Sequence, residues 1–131
     1  MKKEEGKLHT KYPILLIHGM GFREYRHINY WGRIPAMLKK HGAVIYYGLQ
    51  DCNGSVESNA LQIQQEIDRI FETDKPEKLN IIAHSKGGLE ARYIISTLGY
   101  ADKIASLTTL STPHHGSLTV DALMNFPDGL I

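Results

Sequence analysis

The chain has 131 residues, 42% hydrophobic and 22% charged, with fifteen basic residues set against fourteen acidic ones. That is one domain's worth of protein, able to bury roughly two-thirds of its unfolded surface around a single core. A net charge of +1 argues against a nucleic-acid binder, and the ordinary hydrophobic content argues against disorder.

Residues 1–10 are polar and hold the only charge cluster, Lys2, Lys3, Glu4, Glu5 and Lys7. They read as a frayed, solvated N-terminus and lack the apolar core of a signal peptide. Tyr12 to His18 is a continuous apolar run ending in Gly19, with the length and β-branching of a strand buried on both faces. Gly19 to Tyr30 reads as loop, rich in Gly, Arg and aromatics. Trp31 to Lys40 places Trp31, Ile34, Met37 and Leu38 at helical spacing. Pro35 is tolerated only near a helix start, which moves the regular part to about Ile34, and Gly42 suits the position after the helix end.

Ala43 to Tyr47 is the second expected strand, followed by a loop from Gly48 to Gly54. Ser55 then caps a long amphipathic helix whose inward residues are Leu61, Ile63, Ile67, Ile70 and Phe71, with Pro76 past its end. Leu79 to Ala83 is the third strand and Gly87 to Leu98 the third helix, stopped near Gly99. Ile104 to Leu110 is a fourth strand, ended by Thr112-Pro113, and Ser117 to Asn125 starts a further helix. Strands alternating with helices imply an α/β domain built on a parallel sheet.

Two motifs carry chemistry. Ile81-Ile-Ala-His84-Ser85-Lys-Gly87-Gly88 lies between a predicted strand and a predicted helix, the setting of a nucleophile elbow. A serine on so tight a turn is held in a strained backbone conformation that lifts its hydroxyl above the sheet. The residues two positions away must be small because the turn brings their α-carbons close, and Ala83 and Gly87 are small. The following helix directs its positive end at the place where an anion develops. Ala83 departs from the usual glycine by one methyl. A helix N-terminus preceded by small residues would give the same local pattern.

The second motif, His18-Gly19-Met20-Gly21, follows the first strand. In α/β-hydrolases this loop supplies one oxyanion-hole N–H, and the residue after the nucleophile supplies the other. By position the donors are the backbone amides of Met20 and Lys86, each contributing about 2.7–4 kcal/mol to the transition state. Taken alone, a glycine turn ending a strand explains His18-Gly19 equally well. Two such motifs, in this order and each at the carboxyl end of a strand, are stronger together, because ligands of open α/β sheets bind where strand order reverses.

Tyr12-Pro-Ile-Leu-Leu-Ile-His-Gly-Met-Gly21, Asn80-Ile-Ile-Ala-His-Ser-Lys-Gly-Gly88 and Ser111-Thr-Pro-His-His-Gly-Ser117 resemble consecutive landmarks of bacterial triacylglycerol lipases of the α/β-hydrolase superfamily. The resemblance runs from about Tyr12 to Ser117 and takes in Tyr30-Trp31-Gly32. It implies a three-layer fold, a mostly parallel sheet with helices on both faces and a strand order of second, first, third, fourth. It also implies carboxyl-ester hydrolysis through an acyl-serine at Ser85, with Met20 and Lys86 as oxyanion donors. His18, Gly19, Ala83, His84, Gly87 and Gly88 are then supporting residues, and no cofactor is implied. Separately, no spacing among the seven histidines, the lone cysteine and the acids makes a metal site. The substrate implied is a lipid or short-chain ester.

The family places its catalytic acid and histidine on two strands after the serine, whereas this sequence offers only four strands. Asp102 lies at the wrong end of the sheet, and no histidine follows Asp121 or Asp128. The expectation is one partial domain over 1–131, truncated after about four strands, whose acid and base lie elsewhere. The exposed edge of the fourth strand would then meet a missing C-terminal half or a second copy. The rival is a non-catalytic remnant, or a half-domain needing a partner chain. His114 and His115 read as a structural or exposed pair rather than a makeshift base, and His18 and His84 as packing and hydrogen-bonding residues. The Lys86 side chain is expected on the solvent side of the elbow. Met20, Phe22 and Trp31 are expected either to line an acyl pocket or simply to pack. Cys52 is the only cysteine, so no intrachain disulfide forms. With no apolar run near the roughly twenty residues of a membrane helix, a cytoplasmic protein is expected, secretion staying open if the N-terminus is incomplete.

Overall fold

A computed structural model describes residues 11–19, 30–51 and 54–124. Strand β1 spans Ile14–Ile17, helix α1 Ile34–Lys40, β2 Ile45–Tyr47, α2 Val56–Thr73, β3 Leu79–His84 and α3 Lys86–Ser96. A 3-10 turn at Ala101–Lys103 leads into β4, Ile104–Leu110, and α4 covers Leu118–Met124. The frayed N-terminus expected at 1–10 and most of the aromatic loop, including Met20 and Phe22, lie outside the described residues.

The four strands form one parallel sheet in the order β2-β1-β3-β4. All four residues of β1 are buried, as an interior strand covered on both faces requires. Successive side chains of a strand point to opposite faces, so β1 feeds two cores. Leu15 and Ile17 join Ile81 and Ala83 beneath Ala60, Ile63, Ile67 and Ile70 of α2 and Ala91 and Ile94 of α3. Ile14 and Leu16 face the other way, onto Trp31 and Ala43, with Leu38 of α1 packed alongside. Helices therefore cover both faces of the sheet. Each fully buried Leu or Ile side chain contributes about 1.5–3 kcal/mol.

Local signals set the ends of these elements. Ser55 caps α2, its hydroxyl accepting from the Ser58 N–H at 3.0 Å. Gly42 follows the last turn of α1 at φ 96°, a conformation that disfavours any side chain. Lys75, at φ 49°, turns the chain out of α2 just ahead of Pro76. Of the residues expected to face inward from α2, Leu61 does not: it is 50% exposed, while Ile63, Ile67 and Ile70 line the core. Ile34 and Met37, at helical spacing on α1, are 46% and 56% exposed. Among the described residues no strand pairs with the outer edge of β4, and no helix is long and apolar enough to cross a membrane.

Candidate active site

The carboxyl ends of β1 and β3 lie side by side, with Ile17 opposite Ala83. Sequence order reverses here, since the chain leaves β1 for β2 on one side and returns to β3 on the other. One residue beyond Ala83 and His84, Ser85 adopts φ 56° and ψ −128° at the N-cap of α3. A non-glycine residue in that region costs on the order of 1–3 kcal/mol and persists only when its surroundings enforce it. They do so from both sides. The Ser85 N–H donates to the Leu110 carbonyl at 2.8 Å, extending the β3–β4 ladder by one rung. Its carbonyl accepts from the Gly88 N–H at 3.0 Å and from the Thr112 hydroxyl at 2.8 Å.

Close approach explains the small residues around this turn. A methyl on Gly87 would lie 2.4 Å from the His18 carbonyl oxygen and 2.8 Å from that of Ile17. One on Gly88 would meet the Thr112 hydroxyl at 2.2 Å. Ala83 is fully buried beneath the turn. The loop after β1 rests directly on the serine, for a methyl on Gly19 would stand 2.9 Å from Ser85 Cβ. Of the two expected oxyanion donors, Lys86 opens α3, where an N–H has no carbonyl one turn earlier to bond. Met20 lies outside the described residues.

Each histidine near the turn has defined partners. His18, 6% exposed, has Nδ1 at 2.7 Å from the Gly19 carbonyl. His84 Nδ1 meets the Tyr30 hydroxyl, and its ring stands edge-on to Tyr30 and Trp31. The same Tyr30 hydroxyl accepts from the Gly19 N–H at 2.8 Å. Trp31 is packing, buried against β1. His114 is exposed and spoken for on both nitrogens. Arg92 can only donate, so His114 Nδ1, 3.1 Å away, is the accepting nitrogen, and Nε2–H donates to Thr109 Oγ1 at 3.0 Å. His115 is exposed. Among the described residues no histidine is hydrogen-bonded to the Ser85 hydroxyl, and no cluster of His, Cys, Asp or Glu could hold a metal ion.

One expectation fails outright. The Lys86 side chain is not on the solvent side of the turn. It is 16% exposed, its Nζ donates to the Gly54 carbonyl, and it lies 3.6 Å from Glu90 Oε2. Glu90, one turn further along α3 and 1% exposed, is a buried carboxylate the sequence reading missed. It accepts from Gln50 Nε2 at 3.0 Å and from Asn59 Nδ2 at 2.6 Å. Burial raises its pKa, against the opposing pull of Asn59, Lys86 and Gln50. Helical spacing offered a signal, since Gly87, Ala91 and Ile94 mark the inward face on which Glu90 lies. Gln50 and Tyr30 carried no such periodic signal.

A family model described as palmitoyl protein thioesterase matches residues 13–128. The chain belongs to that family. Among curated relatives it is 35% identical over 135 residues to triacylglycerol lipase 2 of Saccharomyces cerevisiae, covering 99% of this chain and 38% of that one. It is 31% identical over 130 residues to a triacylglycerol lipase of Vibrio cholerae, covering 98% of this chain and 41% of that one. The chain thus spans about two-fifths of the length of these relatives. The crystal structure of mature Bacillus licheniformis lipase BlEst2 superimposes with a TM-score of 0.79 at 20% identity, over 92% of this chain and 49% of that one. That likeness establishes the fold, the α/β-hydrolase architecture expected from the motifs.

Proposed function

We propose that the protein hydrolyses carboxyl esters through an acyl-serine intermediate on Ser85. The observation that carries the reading is the strained Ser85 turn with the His18-Gly19 loop against it. Few requirements other than presenting a hydroxyl over the sheet explain why a serine is held there. The curated relatives named triacylglycerol lipase support an ester as substrate.

In this mechanism Ser85 Oγ attacks the ester carbonyl carbon while its proton passes to a histidine. Charge on the carbonyl oxygen is held by the amides of Met20 and Lys86, where preorganised donors need no rearrangement during reaction. The protonated histidine returns its proton to the departing alcohol, and water then releases the acid by the same route. The histidine and its acid are supplied from outside the described residues, since none of the described histidines is bonded to the Ser85 hydroxyl. Membership of the palmitoyl protein thioesterase family supports thioesters as a second substrate class for the same acyl-serine. The lone cysteine fits a cytoplasmic location, which cell fractionation reads directly.

Turnover of p-nitrophenyl butyrate and of an acyl thioester by the full-length protein tests the proposal. Both rates should fall by at least about 10³-fold in Ser85→Ala. Equal rates in variant and wild type would overturn it, and rates of both at the uncatalysed background would favour the non-catalytic reading.

A further inference from the structure

We infer that Gln50 is a positioning residue for the loop that bears the oxyanion donor, and that Glu90 holds it to that task. This rests on the hydrolase reading above. Gln50 is 4% exposed and lies beyond β2, outside the two sequence motifs. Its Nε2 donates to the His18 carbonyl at 2.9 Å and to Glu90 Oε1 at 3.0 Å. The carbonyl only accepts, and so does Glu90 in its carboxylate form, so the amide then has one workable orientation, with both N–H bonds committed.

The His18 carbonyl and the Gly19 N–H belong to one planar peptide unit. Gln50 holds its oxygen and the Tyr30 hydroxyl holds its N–H at 2.8 Å. Gly19 imposes little torsional preference of its own, so without these two bonds the unit could rotate at small cost. The next carbonyl, that of Gly19, is met by His18 Nδ1. The loop is therefore fixed at successive peptide units as it passes Ser85 and leads into residue 20.

Glu90 makes this clamp directional. Its Oε2 takes a hydrogen bond from Asn59 Nδ2 at 2.6 Å and faces Lys86 Nζ at 3.6 Å, which leaves Oε1 for Gln50. Asn59 also donates to the Asp51 carbonyl at 2.6 Å, anchoring the segment that carries Gln50. The loop after β2, the start of α2, the first turns of α3 and the loop after β1 thus share one buried polar junction. A donor shifted by about 1 Å can cost a hundredfold in rate, so a device holding this peptide acts on kcat more than on binding.

The test is Gln50→Met in the full-length protein, a substitution that keeps volume and removes both donors. Ester hydrolysis should lose about ten- to a hundredfold in kcat with KM within about twofold. Amide exchange at Gly19 should accelerate at least about tenfold while Ile81 and Ile82 in β3 keep their protection. Unchanged Gly19 exchange, or acceleration shared equally by Ile81, overturns the inference. If Gln50→Met does not fold, Gln50→Ser, which leaves room for water to reach both acceptors, replaces it with the same readouts. Failure of both to fold also overturns the inference, since Gln50 would then be a core-stability residue. If wild type shows no ester turnover, the hydrolase reading fails, and Gly19 exchange alone decides whether Gln50 fixes the loop.

Discussion

Gly87→Ala adds a single methyl where α3 crosses the end of β1. The new carbon would lie 2.4 Å from the His18 carbonyl oxygen, 2.8 Å from the Ile17 carbonyl oxygen and 2.9 Å from Ile17 Cγ2. Two of these obstacles are backbone atoms at the end of a fully buried interior strand, so neither can rotate aside. Overpacking of a tight core costs typically 1–3 kcal/mol and occasionally more. Alanine's better helix propensity returns up to about 1 kcal/mol. The net expectation is a loss of about 2 kcal/mol, read as a lower urea midpoint at unchanged m-value. Gly99→Ala is the control. That glycine has φ 76° with nothing within 4 Å of the added carbon, so its cost is conformational only, about 1 kcal/mol. Gly87→Ala as stable as wild type would refute the close approach of α3 to the His18-Gly19 loop.

Ser55→Ala removes the hydroxyl that accepts from Ser58 N–H, and should cost about 1 kcal/mol in urea unfolding, whereas Ser58→Ala should cost less. For Glu90 the pKa is raised above its ordinary 4.5, so the folded protein holds that proton more tightly than the unfolded chain. Its contribution to stability is therefore largest below pH 4.5 and falls as pH rises through the raised value. The stability difference between wild type and Glu90→Gln should drift against wild type as pH increases across that window. A flat or opposite drift in urea titrations at several pH values would contradict the buried carboxylate.

Most of the frame was legible in the sequence because it is written in local patterns. Continuous apolar runs marked the sheet strands, the bounds of β4 were read residue for residue, and Ser55 and Gly42 marked helix ends. Where periodicity misled, at Leu61, the reason is geometric. Spacing places a residue on a helix face but cannot tell how wide a stripe the neighbouring layer covers. The polar junction was illegible for a different reason. Gln50 meets Glu90 forty residues away, and Tyr30 meets His84 fifty-four residues away. No local period encodes such a pairing. Lys86 shows the same limit, since its turn in the chain was clear while its side chain's partner, Gly54, was not.

The most direct measurement is the site of covalent attachment of a fluorophosphonate to the native full-length protein, mapped by mass spectrometry. A nucleophile held at φ 56° over the sheet predicts a single adduct on Ser85, lost when the protein is unfolded before labelling. An unmodified Ser85 in folded protein, or labelling that survives denaturation, would contradict it.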